Sequence, residues 1–290
     1  MSAQSFDVVV IGAGPAGLEA AATVAAAGLR VVTIDRMGPG GQLMNLGPLQ
    51  GVPGLEPEAT GPDLLAQIAE RAMSAGAEIA IDDVSGVRRD GDFVVEALEG
   101  SYTAAAVVVA TGLTPGTTGL AGEGRFDGAG LSHCAHCDAP LYAGQPVAVA
   151  GSDAWAVEEA LELAEHASVV NLIAAEGISA PAERLAALRG RSNVVVIAGR
   201  ITQLNGSEAL EEVVVLGPDG EHRAAARGLF LQTGRVPAHD FLSADASSED
   251  GLFLAGDVRE DGGKTIVEAI ADGAKAGQNA VEWIRARRGA

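Results

Sequence analysis

The stretch FDVVVIGAGPAGLEAAATVAAAGLRVVTID, Phe6 to Asp35, decides the fold. Its first six residues are a short apolar run that stops at a Gly-rich turn, the pattern of a buried strand. An Ala-rich segment follows to Ala27, and Gly28 supplies a helix stop. Arg30 to Ile34 is a second short strand and ends at Asp35. The whole is one βαβ unit.

That order gives each glycine a task. Gly12 makes the tight turn, Gly14 lets a pyrophosphate approach the backbone, and Gly17 lets the helix pack against the strand. The helix N-terminus then faces the phosphates. Asp35 comes about twenty residues on, where a carboxylate accepts hydrogen bonds from a ribose. A lone Gly-rich turn would be weak; strand, turn, helix and acid together indicate a dinucleotide site.

The unit is written twice. From Pro146 the chain offers a strand Val147 to Ala150, a turn Gly151-Ser152-Asp153, a helix Ala154 to His166 and a strand Ser168 to Ile173. Two such units in 290 residues suit two domains of ordinary size. Val107 to Thr111 before Gly112, and Leu252 to Gly256 before Asp257, read as further strands that end in turns where a large dinucleotide needs them. With 19 Lys and Arg against 39 Asp and Glu, the net charge of −20 argues against nucleic acid as a partner. The longest uncharged stretch, Gly100 to Gly122, contains Pro115 and five Gly, so it reads as strand plus loop and no membrane segment is expected. With no basic leader at the N-terminus, the expected location is cytoplasmic.

Cys134 and Cys137 are the two cysteines of the chain. In a reducing compartment such a CxxC pair points to redox or metal chemistry rather than to a structural staple. His133 and His136 lie beside it, but four ligands within five residues wrap a tetrahedral ion poorly and no second CxxC or HxxxH exists, so no metal site is assigned. Paired thiols close a disulfide readily, and a neighbouring imidazole or acid tunes the thiolate. His133 and His136 are therefore candidates to stabilise a thiolate or act as a base, or else are solvated loop residues. His166, His222 and His239 have no motif context.

GAGPAG at Gly12 to Gly17, GGQL at Gly40 to Leu43, ATG at Ala110 to Gly112, CxxCD at Cys134 to Asp138 and AGD at Ala255 to Asp257 resemble the low-molecular-weight thioredoxin reductase family over nearly the whole chain. Val52-Pro53-Gly54, and Thr60-Gly61-Pro62 opening a helix that ends near Gly76, agree in kind. The resemblance implies an α/β fold of two Rossmann-like dinucleotide-binding domains, the second inserted into the first. An FAD-binding domain would comprise residues 1–114 and 235–290, and a pyridine-nucleotide-type domain carrying the CxxC would comprise 115–234. The hinges would lie near residues 113 to 117 and 232 to 237. It further implies that Gly12, Gly14, Pro15, Ala16, Gly17, Asp35, Arg36, Gly41, Gln42, Asn45, Thr111, Gly112, Gly256, Asp257, Lys264, Thr265 and Ile266 hold FAD. Cys137 would face the flavin, Cys134 would attack the substrate disulfide, Asp138 would be the proton-donating acid, and the protein would be a homodimer.

Departures from the family pattern cluster in the second unit. Asp153 stands where a GGG-type turn has glycine, Ala174-Ala175-Glu176-Gly177 replaces a basic motif that holds a 2′-phosphate, and Trp155 replaces a small residue. Loss of ordinary NADPH binding is expected, and NAD(P)H use stays open, since Glu176 suits an NADH ribose. In the flavin domain Gly51 replaces a family Asn, and Lys264-Thr265-Ile266 replaces an RQA-type segment.

Three functions remain. One is a flavin-dependent reductase of a thioredoxin-like protein or a small disulfide, fed by NAD(P)H or by ferredoxin. Another is a dithiol oxidase that runs the relay backwards to oxygen on a small-molecule dithiol. The third is a redox-inactive FAD-binding interaction protein. Asp138 favours the first, His133 the second, and the intact CxxCD argues against the third.

Overall fold

The computed structural model describes residues 3–49, 52–242, 250–259, 261 and 265–289. They form two compact units, Met1–Thr114 with Pro237–Ala290, and Pro115–Val236. The chain begins with β1 (Gln4–Ile11), α1 (Pro15–Ala26), β2 (Val31–Asp35), α2 (Gly61–Ser74), β3 (Glu78–Ile81), β4 (Val84–Asp90), β5 (Asp92–Ala97) and β6 (Ser101–Val109). After β7 (Leu113–Pro115) come β8 (Leu131–Ser132), α3 (Ala135–Asp138), β9 (Pro146–Ala150), α4 (Ala154–Leu163), β10 (Val169–Ala174), α5 (Ala182–Arg189) and β11 (Val194–Ala198). The strands β12 (Arg200–Asn205), β13 (Glu212–Gly217), β14 (Gly220–Ala225) and β15 (Gly228–Leu231) follow. Then β16 (Arg235–Pro237), β17 (Leu252–Leu254) and α6 (Ile266–Gly289) complete the order.

In the first unit the sheet runs β3-β2-β1-β6-β5-β4, with β17 also paired to β6. β1 is parallel to both β2 and β6, and Val8, Val9 and Val10 are fully buried. Burial on both faces is why this strand is a continuous apolar run; each such Val contributes roughly 1.5–3 kcal/mol. Thr60 caps α2 and exchanges bonds with Asp63, a capping box that fixes where that helix starts. Small residues let α1 and α6 approach closely: a Cβ on Gly273 would collide with the backbone of Ala16, and one on Gly277 would stand 2.7 Å from the Ala20 carbonyl oxygen. The Ala- and Gly-rich composition is thus partly the cost of this helix contact.

The second unit has a sheet of order β11-β10-β9-β15-β8 and a separate antiparallel meander, β12-β13-β14. Ala156, Val157 and Ala160 of α4 pack with Val147, Val149 and Phe230 on one face. Ala148, Ile173 and Leu229 pack with Val213 and Val215 of the meander on the other. In the first sheet β1 lies between the parallel strands β2 and β6, and in the second β9 lies between the parallel strands β10 and β15. Such a reversal opens a crevice beyond the strand ends, where ligands bind.

Some boundaries differ from the sequence reading. α4 ends at Leu163 instead of His166, because the last residues tighten: the His166 amide bonds to the Leu163 carbonyl three residues back. β6 starts at Ser101, not Val107, since pairing with β5 holds the Ala-rich half that propensity alone would not assign to a strand. The sequence from Thr265 to Ile284 reads as a long helical segment, and α6 runs further, to Gly289.

Candidate functional site

In the first unit, Gly12, Gly14, Pro15, Ala16, Asp35, Gly41, Gln42, Thr111, Gly112, Asp257, Thr265 and Ile266 line one cleft, together with Leu43, Leu46 and Ala269. Gly12 has φ +102°, and a Cβ there would stand 2.5 Å from the Ala110 carbonyl oxygen. A Cβ on Gly17 would collide with the Gly12 carbonyl, so the close packing of helix on strand needs both glycines. Gly14 differs from them. It is the N-cap of α1, has no side-chain cap, and a Cβ built on it meets nothing within 4 Å. The first-turn amides of α1 therefore face open space, a cradle for an anion.

Asp35 receives the Ala13 amide at 2.9 Å and the Met37 amide at 3.0 Å, one on each carboxylate oxygen. It locks the turn while its remaining lone pairs stay available to hydroxyl donors. Gln42 donates to Asp257 at 3.2 Å, joining opposite walls of the cleft. Thr111 donates to the Ala238 carbonyl at 2.5 Å, and Gly112 receives the Ala238 amide. Gly256 has φ +73°, and a Cβ there would stand 2.9 Å from the Ala16 Cβ. Thr265 precedes α6 and exchanges bonds with Glu268, a helix start that opens into the same cleft. Arg36 stands outside this wall, largely exposed, with Asp83 4.0 Å away. Asn45 ends the short helix Gly41–Asn45. Gly51 and Lys264 lie outside the described residues.

In the second unit, Cys134 and Cys137 form a disulfide, their Cα atoms 5.4 Å apart. Cys134 is the N-cap of α3 and its sulfur accepts the Cys137 amide at 3.2 Å. Ser132 connects the pair to the acid: its hydroxyl accepts the Cys134 amide at 3.2 Å and donates to Asp138 at 2.7 Å. Cys137 is exposed and Cys134 half-buried. His136 is exposed and its Nδ1 lies 2.9 Å from Glu162. His133 is exposed, and its carbonyl accepts a bond from Gln232. Among the described residues no cluster of three His, Cys, Asp or Glu side chains could hold a metal ion, and no helix is long and apolar enough to cross a membrane.

Sequence reasoning missed Ser132 and Glu159. Glu159 is 8 % exposed and its carboxylate accepts the Ala135 amide at 2.6 Å. Burial pushes its pKa from 4.5 up to about 7; the Ala135 bond and Arg235 oppose that rise, whereas Glu162 and Asp138 add to it. One signal was available: Glu159 interrupts the helical stripe of Ala156, Ala160 and Leu163, where an acid has no reason to be without a partner.

The second nucleotide-type turn is built differently from the first. Asp153 is the N-cap of α4 and accepts the Ala156 amide at 2.9 Å. Trp155 is 40 % exposed, with the Arg235 guanidinium 5.5 Å from its ring centre. Ala174 ends β10, and Ala175, Glu176 and Gly177 follow it exposed.

Residues 6–273 match the family described as pyridine nucleotide-disulphide oxidoreductase. The chain is 32 % identical to the thioredoxin reductase of Peptoclostridium acidaminophilum, over 97 % of this chain and 98 % of that one. The Lactococcus lactis thioredoxin reductase structure is similar at TM-score 0.82 and 27 % identity, covering 97 % of this chain and 99 % of that one. A ferredoxin-flavin thioredoxin reductase from Clostridium acetobutylicum is similar at TM-score 0.52 and 25 % identity, covering 98 % and 100 %.

Proposed function

The chain belongs to the pyridine nucleotide-disulphide oxidoreductase family as a thioredoxin reductase-like, FAD-dependent disulfide oxidoreductase, and from that premise we propose that it reduces the disulfide of a thioredoxin-like protein or a small molecule with electrons from a donor other than NADPH. FAD, when bound, supplies the two-electron chemistry. The residues that would hold it are those of the first cleft: the α1 amides beside Gly14 for the pyrophosphate, Asp35 for a ribose, and Gln42, Thr111, Asp257 and Thr265 around the remainder. In the reduced second unit the Cys134 thiolate attacks the substrate disulfide and releases one substrate thiol. Cys137 then attacks the Cys134 sulfur, releases the second thiol and restores the Cys134–Cys137 bond. Asp138, oriented by Ser132, is the acid from which a departing sulfur takes its proton.

The observation that carries this reading is the Cys134–Cys137 disulfide beside an Asp138 carboxylate held by Ser132. A donor such as ferredoxin is supported by the capped second turn and by the ferredoxin-linked relative. Family resemblance and a CxxC suited to reducing surroundings add a homodimer and a cytoplasmic location to the reading. The test is to reduce the purified FAD-loaded protein with dithionite, remove excess reductant anaerobically, and add thioredoxin or a small disulfide. Flavin reoxidation with matching thiol release is expected in the parent and absent in Cys137→Ser. Reoxidation that survives that substitution contradicts the proposal. Exposed His133 next to Cys134 supports the oxidase alternative, for which a dithiol would bleach the flavin and oxygen restore it.

A further inference from the structure

Glu159 is the one buried carboxylate among the described residues whose amide partner lies between the two cysteines. No substrate-facing role uses it. It reaches from α4 to Ala135, and Ala135 is fully buried, so the carboxylate is pinned beneath the Cys134–Cys137 segment and shielded from solvent. Around it stand Glu162 from its own helix, Asp138 from α3 and Arg235 from β16; His136 is joined to Glu162.

We propose that Glu159 is a positioning residue for the dithiol: it fixes the Ala135 amide, and its charge sets how readily the reduced cysteines ionise. The proposal rests on the CxxC being the working redox pair. A carboxylate directly behind Ala135 disfavours a second negative charge on Cys134 or Cys137, so an ionised Glu159 keeps the thiols protonated and a neutral one releases them. Since burial lifts the pKa of Glu159 to about 7, its charge changes within the range in which such thiols titrate. Carboxyl and thiols then titrate as one coupled set, with a thiolate fraction that rises more slowly with pH than an isolated thiol would show. Arg235 opposes this effect and Glu162 and Asp138 reinforce it, so the balance belongs to the cluster, but only Glu159 is both buried and bonded to the segment.

Alkylation of the dithiothreitol-reduced, FAD-loaded protein by iodoacetamide, followed from pH 5 to 9, reads the thiolate directly and requires no turnover. Glu159→Gln keeps an oxygen for the Ala135 amide and removes the charge. The expected result is loss of the inflection near the Glu159 pKa and alkylation at pH 7.5 faster by roughly threefold to tenfold, the equivalent of half to one pKa unit on the thiol. A profile that superimposes on the parent overturns the proposal. Glu159→Ala separates the two roles: it removes charge and anchor together, so a result equal to that of Glu159→Gln would eliminate positioning through the amide. If Glu159→Gln does not fold, the profile of His133→Gln with His136→Gln decides instead. An inflection that persists without either imidazole supports Glu159, and one that disappears overturns it. Because the readout is cysteine ionisation, failure here leaves flavin reoxidation by disulfides intact, and failure of the disulfide reductase reading leaves this profile unchanged.

Discussion

The two βαβ units of this chain share a plan and differ at the residues that decide what each can bind. Counting from Gly12 and from Gly151, the residue two places on is Gly14 in the first and Asp153 in the second. Gly14 leaves the amides of α1 without a side-chain cap and facing open cleft, while Asp153 occupies the equivalent place on α4 with a carboxylate bonded to the Ala156 amide. An uncapped N-terminus invites a phosphate; a self-capped one already holds its anion. Eight places on, the first unit has Ala20, whose backbone Gly277 of α6 approaches, and the second has Glu159, which reaches the CxxC segment. One helix start faces an open cleft, whereas the other carries its own carboxylate and its helix sends Glu159 to the CxxC segment.

The largest effect expected from breaking this contrast is at Gly14. Gly14→Val places a branched side chain in the open space where the pyrophosphate would lie, and its extended backbone accepts Val without strain. The variant should fold yet purify without flavin and fail to take up added FAD, checked by absorbance and circular dichroism. The dithiol side comes next: Asp138→Asn should slow reduction of a disulfide substrate by about a hundredfold, while dithionite still bleaches the flavin at the parent rate. Rapid-mixing measurement of each half-reaction separates the two.

A smaller effect concerns stability and pH. Glu159 has a folded pKa of about 7, raised chiefly by burial above its ordinary 4.5. Between those values the folded state binds more protons than the unfolded one, so this group's contribution is fully present at low pH and is lost as pH rises through about 7. Glu159→Gln should therefore gain about 1–3 kcal/mol over the parent at pH 8, and show little or no advantage at pH 4, in urea denaturation. The smallest expected effect is at the caps themselves. Asp153→Ala should cost about 1 kcal/mol of stability, whereas Gly14→Ala in apo protein should change little, since no side-chain cap is lost there.

The first unit was legible because its chemistry is written in consecutive residues. Gly12, Gly14, Gly17 and Asp35 each have a task set by backbone geometry, and a pattern of apolar runs places the strands around them. A strand beginning at Leu252 was readable for the same reason, although it ends at Leu254 instead of Gly256 and its pairing with β6 came from the structure. What could not be read is contact between elements: Ser132 meets Asp138 from a strand, and Glu159 reaches Ala135 across 24 residues, so even the break that Glu159 makes in its helical stripe does not say which group it meets. Asp153 was visible as an odd residue in a glycine's place. That its carboxylate folds back as a helix cap, instead of standing free in the crevice, required the structure.

Anaerobic titration of the FAD-loaded protein with NADPH tests the central contrast most directly. Two like charges about 4 Å apart at an effective dielectric near 20 repel by about 4 kcal/mol, roughly a thousandfold in affinity, and Asp153 together with Glu176 would set such repulsion against the pyrophosphate and the 2′-phosphate. Micromolar NADPH should leave the parent flavin yellow, and Asp153→Gly combined with Ala175→Arg and Glu176→Arg should allow bleaching. Prompt bleaching of the parent by micromolar NADPH would contradict the account and return the second unit to an ordinary nucleotide site.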